Sequence, residues 1–325
     1  MTSVVENDPK IVDLSCGDHY TDNFGVEWTN YPDVQRDSFV NNHNLSLRRL
    51  QLVLGFPIRY LANEVVLEIG CGPGRFSEYL ADTSRHLCLV DSSQAIYCNP
   101  AVKKDNVCAI RGDFLKDRVE CHFVRRPTVA FCRGVLQHLP DPAAGIRRLF
   151  DFVPPGGVVV FDIYPKYKPV WLARLIEFKY FWRMVLPKVI NAQDMVVILE
   201  NHGAVIKKIW DIFRSLEHNR LFRILRKICP FFGIFVPWEV DKHYPGYTGD
   251  QLQKVFNATF IDGFYADFDT PKTFKEVLDI LGSIGQYPYS FDASKCIFRC
   301  VKQISDPFDP LVTKNGVFGD QAVQE

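Results

Sequence analysis

The run Val65-Val-Leu-Glu-Ile-Gly-Cys-Gly-Pro-Gly-Arg75 sets the reading of this 325-residue chain. Val65, Val66, Leu67 and Ile69 suit a buried strand, while Gly70, Gly72 and Gly74 let the backbone turn tightly and approach a ligand without Cβ obstruction. A helix follows over 76–81. Strand, glycine turn and helix in that order point to a nucleoside cofactor.

Dehydrogenases place G-x-G-x-x-G at this junction and hold a pyrophosphate at the helix N-terminus. Here the third glycine arrives one residue early, Arg75 stands where that pattern wants glycine, and Glu68 precedes the first glycine by two residues. E-x-G-x-G-x-G resembles motif I of the class I S-adenosylmethionine-dependent methyltransferases. The resemblance implies that Glu68 holds the methionine ammonium through water, and that Gly70, Gly72 and Gly74, with Cys71 in the same loop, line the methionine and ribose.

Further stretches resemble the same family in order and spacing. Leu87-Cys-Leu-Val-Asp91 is a second apolar strand ending in an acid, and the two acceptor oxygens of Asp91, with Ser92 beside it, suit two ribose hydroxyls. In Val107-Cys-Ala-Ile-Arg-Gly-Asp113-Phe114 the resemblance puts Asp113 on the adenine amino group and Phe114 against its ring. Val129-Ala-Phe-Cys-Arg-Gly-Val-Leu-Gln-His-Leu-Pro140 is similar to the family's fourth strand and loop, adding Arg133 to the cofactor set. Pro154-Pro-Gly-Gly-Val-Val-Val-Phe-Asp162 is similar to the turn into strand five. A lone strand ending in Asp is ordinary in any α/β protein. The ordered set implies a Rossmann-like, doubly wound sheet of seven strands, the last antiparallel, carrying a helical insertion and using S-adenosylmethionine as cofactor.

Composition places the chain among ordinary globular proteins, with 47% apolar and 23% charged residues and a formal net charge of zero. The first residues lack a basic stretch followed by an apolar core, and no uninterrupted apolar run reaches membrane-spanning length, so a cytoplasmic location is expected. The ten cysteines include no C-x-x-C pair and read as small buried apolar residues in a reducing compartment. No His, Cys, Asp or Glu spacing is diagnostic of a metal, and none is expected. Charge is unevenly distributed: 166–237 holds 13 Lys and Arg against five Asp and Glu.

Five regions follow. Residues 1–64 form an N-terminal arm with a helix over 37–53, in which Phe24, Trp28 and Tyr31 are candidates to cap the cofactor pocket. Residues 65–163 supply the cofactor-binding core, 164–273 a helical insertion over the substrate, 274–304 a last helix and strand pair, and 305–325 a flexible tail. Within the insertion, Val205, Ile209, Ile212, Leu216, Leu221, Ile224, Leu225 and Ile228 recur at helical spacing with Lys and Arg between, which predicts amphipathic helix over 204–228. Phe24-Gly-Val-Glu-Trp-Thr29, Lys179-Tyr-Phe-Trp-Arg183 and the Asp262, Asp269, Pro271, Thr273 series resemble a subgroup of bacterial methyltransferases from surface-polysaccharide clusters.

Methyl transfer from a sulfonium is an in-line displacement, so alignment dominates, and a sugar hydroxyl also needs a base to take its proton. His138 is the first choice, because it follows strand four at the carboxyl edge of the sheet, where open α/β sheets bind ligands. His243, Tyr244, Tyr247, Tyr265 and Asp269 are the alternatives from the insertion. The resulting expectation is an O-methyltransferase of a nucleotide-linked or lipid-linked sugar. A methyltransferase of a phenolic, quinone or other natural product, and a non-catalytic cofactor-binding regulator, remain open. The basic insertion reads as a solvated lid or as a peripheral contact with an anionic membrane at its inner face; no recognisable nucleic-acid module is present.

Overall fold

The structure, a computed structural model, describes residues 10–15, 20–39, 44–167, 169–240, 244 and 246–303. Eight strands form one sheet: β1 (Ile11–Asp13), β2 (Val65–Ile69), β3 (His86–Asp91), β4 (Val107–Arg111), β5 (Val129–Cys132), β6 (Val158–Asp162), β7 (Pro288–Asp292) and β8 (Ile297–Val301). Their order is β1-β4-β3-β2-β5-β6-β8-β7. All neighbours run parallel except β8, which is antiparallel to both β6 and β7. The seven expected strands are present, and β1 adds an edge strand beside β4 through the Ile11, Val12 and Asp13 pairs.

Alternation along each strand sorts the side chains into two layers, as a sheet covered on both faces requires. Leu67, Ile69, Cys88, Val90, Ala130 and Cys132 face one layer, covered by helices α4 (Pro142–Phe152) and α11 (Phe274–Ser283). Val66, Leu87, Leu89, Val129 and Phe131 face the other, under α2 (Leu45–Leu54) and α3 (Ser77–Thr83). Two interactions hold α2 to the sheet end. Buried Arg299 of β8 donates from Nε to the Val53 carbonyl (2.9 Å) and from Nη2 to that of Leu52 (2.7 Å), serving the C-terminal carbonyls that an α-helix leaves unpaired.

The expected arm helix over 37–53 is a short 3-10 turn, Asp37–Phe39, and then α2; residues 40–43 lie outside those described. A nine-residue helix, α1 (Asp22–Asn30), precedes both. The helix expected over 204–228 is two. The 24-residue α8 (Ala192–Ser215) ends in a 3-10 turn, and α9 (Arg220–Ile228) restarts after Asn219, whose side chain caps the Phe222 amide at 3.1 Å. The 17-residue α10 (Gly249–Tyr265) buries Val255, Phe256, Ala258, Phe260, Ile261 and Phe264.

The insertion has its own core around Trp210, Phe256, Phe260 and Phe264, and Tyr31 and Val34 of the N-terminal arm are part of it. Tyr31 therefore does not cap the cofactor pocket: its hydroxyl donates to Glu200 Oε1 at 2.7 Å inside this core. The arm and the insertion form one cap, with α1 packed on α8 and α10. Pro165 and Lys272 pair where the insertion leaves and rejoins the core. The tail expected over 305–325 lies outside the described residues.

Candidate active site

A cavity of about 730 Å³ opens at the carboxyl ends of β2, β3, β5 and β6, beneath the cap. That volume is in the usual range for small-molecule sites. The glycine loop forms its floor. Gly70, at φ +72°, is buttressed by Val135, whose Cγ2 would lie 2.1 Å from an added Cβ; at Gly72, φ +48°, an added Cβ would meet nothing within 4 Å. Gly70 thus fits protein against protein, and Gly72 leaves open space for a ligand.

Glu68, Gly70, Cys71, Gly72, Asp91, Ser92, Phe114, Arg133 and His138 of the expected set line this cavity. Glu68 lies on the same face of β2 as Val66, and its Oε2 accepts from Ser77 Oγ of α3 at 2.7 Å. Burial, opposed by that hydrogen bond and assisted by the Asp91 charge, pushes its carboxyl up to about 8. Asp91 Oδ2 accepts from the Gly72 amide (2.7 Å), and Oδ1 from the amide and hydroxyl of Ser93 (2.8 and 2.7 Å). Burial raises the Asp91 pKa, against those three bonds.

Two residues of the expected set do not line the cavity. Gly74 is absent from the cavity wall: at φ +98° it packs under Asn99, whose Oδ1 would stand 2.5 Å from an added Cβ. Asp113 is absent from the wall as well, because its carboxylate accepts from the Leu115 amide (2.9 Å) and lies 3.5 Å from Lys116 Nζ. Asp113 also hydrogen-bonds Tyr20, which does line the cavity, as do its neighbours Gly112 and Phe114.

His138 is 6% exposed and sits between Phe24 and Tyr164, with ring centroids 4.8 and 5.6 Å away. Its Nδ1 is 2.9 Å from the Phe268 carbonyl. A carbonyl only accepts, so Nδ1 carries the proton in the neutral ring and Nε2 keeps its lone pair. Burial lowers the His138 pKa, against the Asp262 charge and the Phe268 bond, and keeps the ring neutral. Asp162 accepts from the Gly134 amide at 2.6 Å and lies 3.5 Å from Arg133 Nε.

Of the alternatives, Tyr244 lines the cavity, but Tyr247 donates to the Val34 carbonyl (3.1 Å) within the cap core, and Tyr265 is buried off the cavity wall. Asp269 is held by Lys179 (2.8 Å) and Arg183 (2.7 Å). His243 lies outside the described residues. Helices α8 and α9 contribute nothing to the wall, so the lid over the site is α1, α10 and the Lys179 helix α6 (Phe178–Arg183), not the amphipathic stretch over 204–228.

Several lining residues carry no local sequence signal. Arg49 and Arg75 join Arg133 on the wall. The guanidinium groups of Arg75 and Arg133 lie 5.1 and 5.4 Å from the centre of the same Phe76 ring. Arg75 bonds the neutral groups Gln35 Oε1 (2.9 Å) and Ser46 Oγ (3.3 Å), and burial, with the Arg133 and Arg49 charges adding, pushes its pKa down to about 9. Across the cavity stand Glu27 of α1 and Asp262 of α10, which only their place in the fold brings together.

The chain matches the family model described as a methyltransferase domain over residues 42–208. It is 32% identical over 133 residues to a ubiquinone biosynthesis O-methyltransferase of Paraburkholderia phytofirmans, covering 40% of this chain and 56% of that one. With the protein of the same description from Proteus mirabilis, identity is 29% over 128 residues, covering 38% and 52%. The chain spans about half the length of these curated relatives. A solved N-methyltransferase, NodS from Bradyrhizobium japonicum with bound S-adenosyl-L-homocysteine, aligns with a TM-score of 0.31 at 25% identity, covering 37% of this chain and 60% of that one.

Proposed function

Because this chain belongs to the class I S-adenosylmethionine-dependent methyltransferases, we propose that it methylates a hydroxyl of a carbohydrate, specifically a nucleotide-linked or lipid-linked sugar. The observation that carries the hydroxyl reading is His138, a neutral imidazole locked through Nδ1 on the wall of the cavity that also holds the glycine loop. An alcohol has to lose its proton as it is methylated, and the lone pair left on Nε2 supplies an acceptor for it. The cofactor supplies the electrophilic methyl group on its sulfonium.

The cavity wall supports that cofactor. In this reading Glu68 neutralises the methionine ammonium, Arg75 and Arg133 its carboxylate, and Asp91 takes the ribose hydroxyls, with Phe114 against the adenine and Gly72 leaving room for the backbone approach. The second reading, a phenolic or quinone-type acceptor, is favoured by the two O-methyltransferase relatives. Transfer of labelled methyl from S-adenosylmethionine to nucleotide sugars and lipid-linked glycans, set against simple phenols, separates them. Label on phenols alone defeats the carbohydrate reading.

The insertion adds a surface suited to an anionic membrane. Among the described residues no helix is long and apolar enough to cross a bilayer. Helix α9 has no buried residue, and it exposes Leu221, Ile224 and Ile228 beside Arg220, Arg223 and Lys227. It packs on the 3-10 turn Pro230–Phe235, which exposes Phe231 and touches α5 (Val170–Ile176), where Trp171 and Leu175 are also exposed. Apolar side chains rimmed by cations match a layer of anionic headgroups over acyl chains. In this proposal the surface brings the enzyme to a lipid-linked acceptor.

A further inference from the structure

The acceptor half of the cavity contains a buried carboxyl that neither the fold nor the proposed proton transfer uses. Glu27 of α1 is 1% exposed, lines the cavity, and its Oε2 makes no hydrogen bond. A buried oxygen left without a partner loses its hydration with nothing in return, so a protein retains one where something else completes it. Asp262 of α10 lines the same wall, and its charge acts on both Glu27 and His138. Trp28 and Trp238 provide apolar faces in the same space. Among the described residues the lysine on this wall is Lys179, which is paired with Asp269 at 2.8 Å.

We propose that Glu27 and Asp262 form a subsite that grips two adjacent hydroxyls of the acceptor and thereby presents one of them to His138. This rests on the hydroxyl-acceptor reading above and names its specificity element. Burial, with the Asp262 charge adding, raises the Glu27 carboxyl well above its ordinary value, so it enters the complex protonated. A protonated carboxyl offers one donor and spare acceptor capacity, and Asp262 offers acceptors only. Two neighbouring hydroxyls, each both donor and acceptor, complement that pair. An ammonium group, with three donors and no acceptor, does not satisfy a neutral carboxyl in the same way. A sugar ring and a catechol both present adjacent hydroxyls.

Saturation-transfer NMR on the full chain with S-adenosylhomocysteine present tests this, using methyl glycosides of glucose, galactose, mannose and rhamnose, then catechol, then methylammonium. At least one diol should receive saturation. Glu27→Ala should abolish it, whereas Glu27→Gln, which copies the donor and acceptor of the protonated acid, should hold affinity within about threefold of the unmodified protein. The melting-temperature rise with S-adenosylhomocysteine, measured on each variant, shows that the fold and cofactor end persist. Catechol responding with this variant pattern, and no glycoside doing so, keeps the subsite and removes the carbohydrate. Binding unaffected by Glu27→Ala, binding of methylammonium that Glu27→Gln destroys, or no binding by any probe overturns it.

Discussion

The Phe268 carbonyl accepts a hydrogen bond from His138 Nδ1 at 2.9 Å, so a residue beyond the end of α10 orients the imidazole presented by the loop after β5. Cap and core are thereby joined at the proposed base. His138→Ala should lower turnover by about a hundredfold or more with cofactor affinity nearly unchanged, the size expected for a general base. Since burial lowers the His138 pKa, the acid limb of the kcat profile should fall below the ordinary imidazole value of about 6.5. A limb above that value, or turnover preserved in the variant, removes His138 from the reaction.

Glu68 gives a second pH signature of opposite reach. Its carboxyl titrates at about 8 in the ligand-free protein, and a bound ammonium favours the ionised form. Binding then releases a proton, so affinity for S-adenosylhomocysteine should rise as pH increases from 6.5 towards 8. Glu68→Gln should flatten that slope in calorimetry at several pH values. An identical slope in both proteins assigns it to the ligand's own amine.

Asp91→Asn should weaken S-adenosylhomocysteine binding by at least tenfold, equivalent to about 1.4 kcal/mol, by taking a charged acceptor away from the ribose. Part of the loss should come from the loop, because Oδ2 also holds the Gly72 amide and an amide nitrogen cannot accept there. Calorimetry on the folded variant decides this, and unchanged affinity moves the ribose elsewhere.

Two neighbouring glycines separate folding from binding. Gly70→Ala forces a methyl group into Val135 at 2.1 Å as well as straining the backbone, and should destabilise the protein by more than the about 1–2 kcal/mol of left-handed strain alone. Gly72→Ala carries the strain without the clash, so the protein should fold with a modestly lower Tm yet lose its melting shift with S-adenosylhomocysteine. Equal Tm losses in the two variants would contradict this assignment of roles.

The exposed face of α9 predicts vesicle binding. Sedimentation with vesicles containing anionic lipid should retain the protein at low salt and release it as salt rises, while neutral vesicles retain little. Leu221, Ile224 and Ile228 changed together to Ser should abolish retention without altering Tm, since none of the three is buried. A concentration-dependent dimer lost in the same variant, with no vesicle binding, identifies the face as a contact between copies.

What the sequence revealed follows from where the chemistry is encoded. Strand β2 and its glycine turn are contiguous, so Glu68, Gly70 and Gly72 announce themselves, and Asp91 and His138 follow from strands whose apolar runs are unmistakable. Glu27 and Asp262 each lie in a stretch the sequence singles out, yet nothing local pairs them, because they meet only when α1 packs on α10. Helix α10 is apolar around much of its circumference, which leaves no stripe for a periodicity argument. Asp113 shows the reverse case, where a recognisable motif residue also serves a local turn by accepting from an amide two positions away.

The pairing of Pro165 with Lys272 means that the capping segment leaves and returns through a single doorway in the core. A segment so hinged can lengthen, shorten or be exchanged without moving β6 or α11, because its closure is already made at the threshold. What the cap cannot change freely is the strip where Phe268 reaches back to His138. Acceptor preference is then free to drift in the walls contributed by α10, while the register between cap and base remains under the stricter constraint.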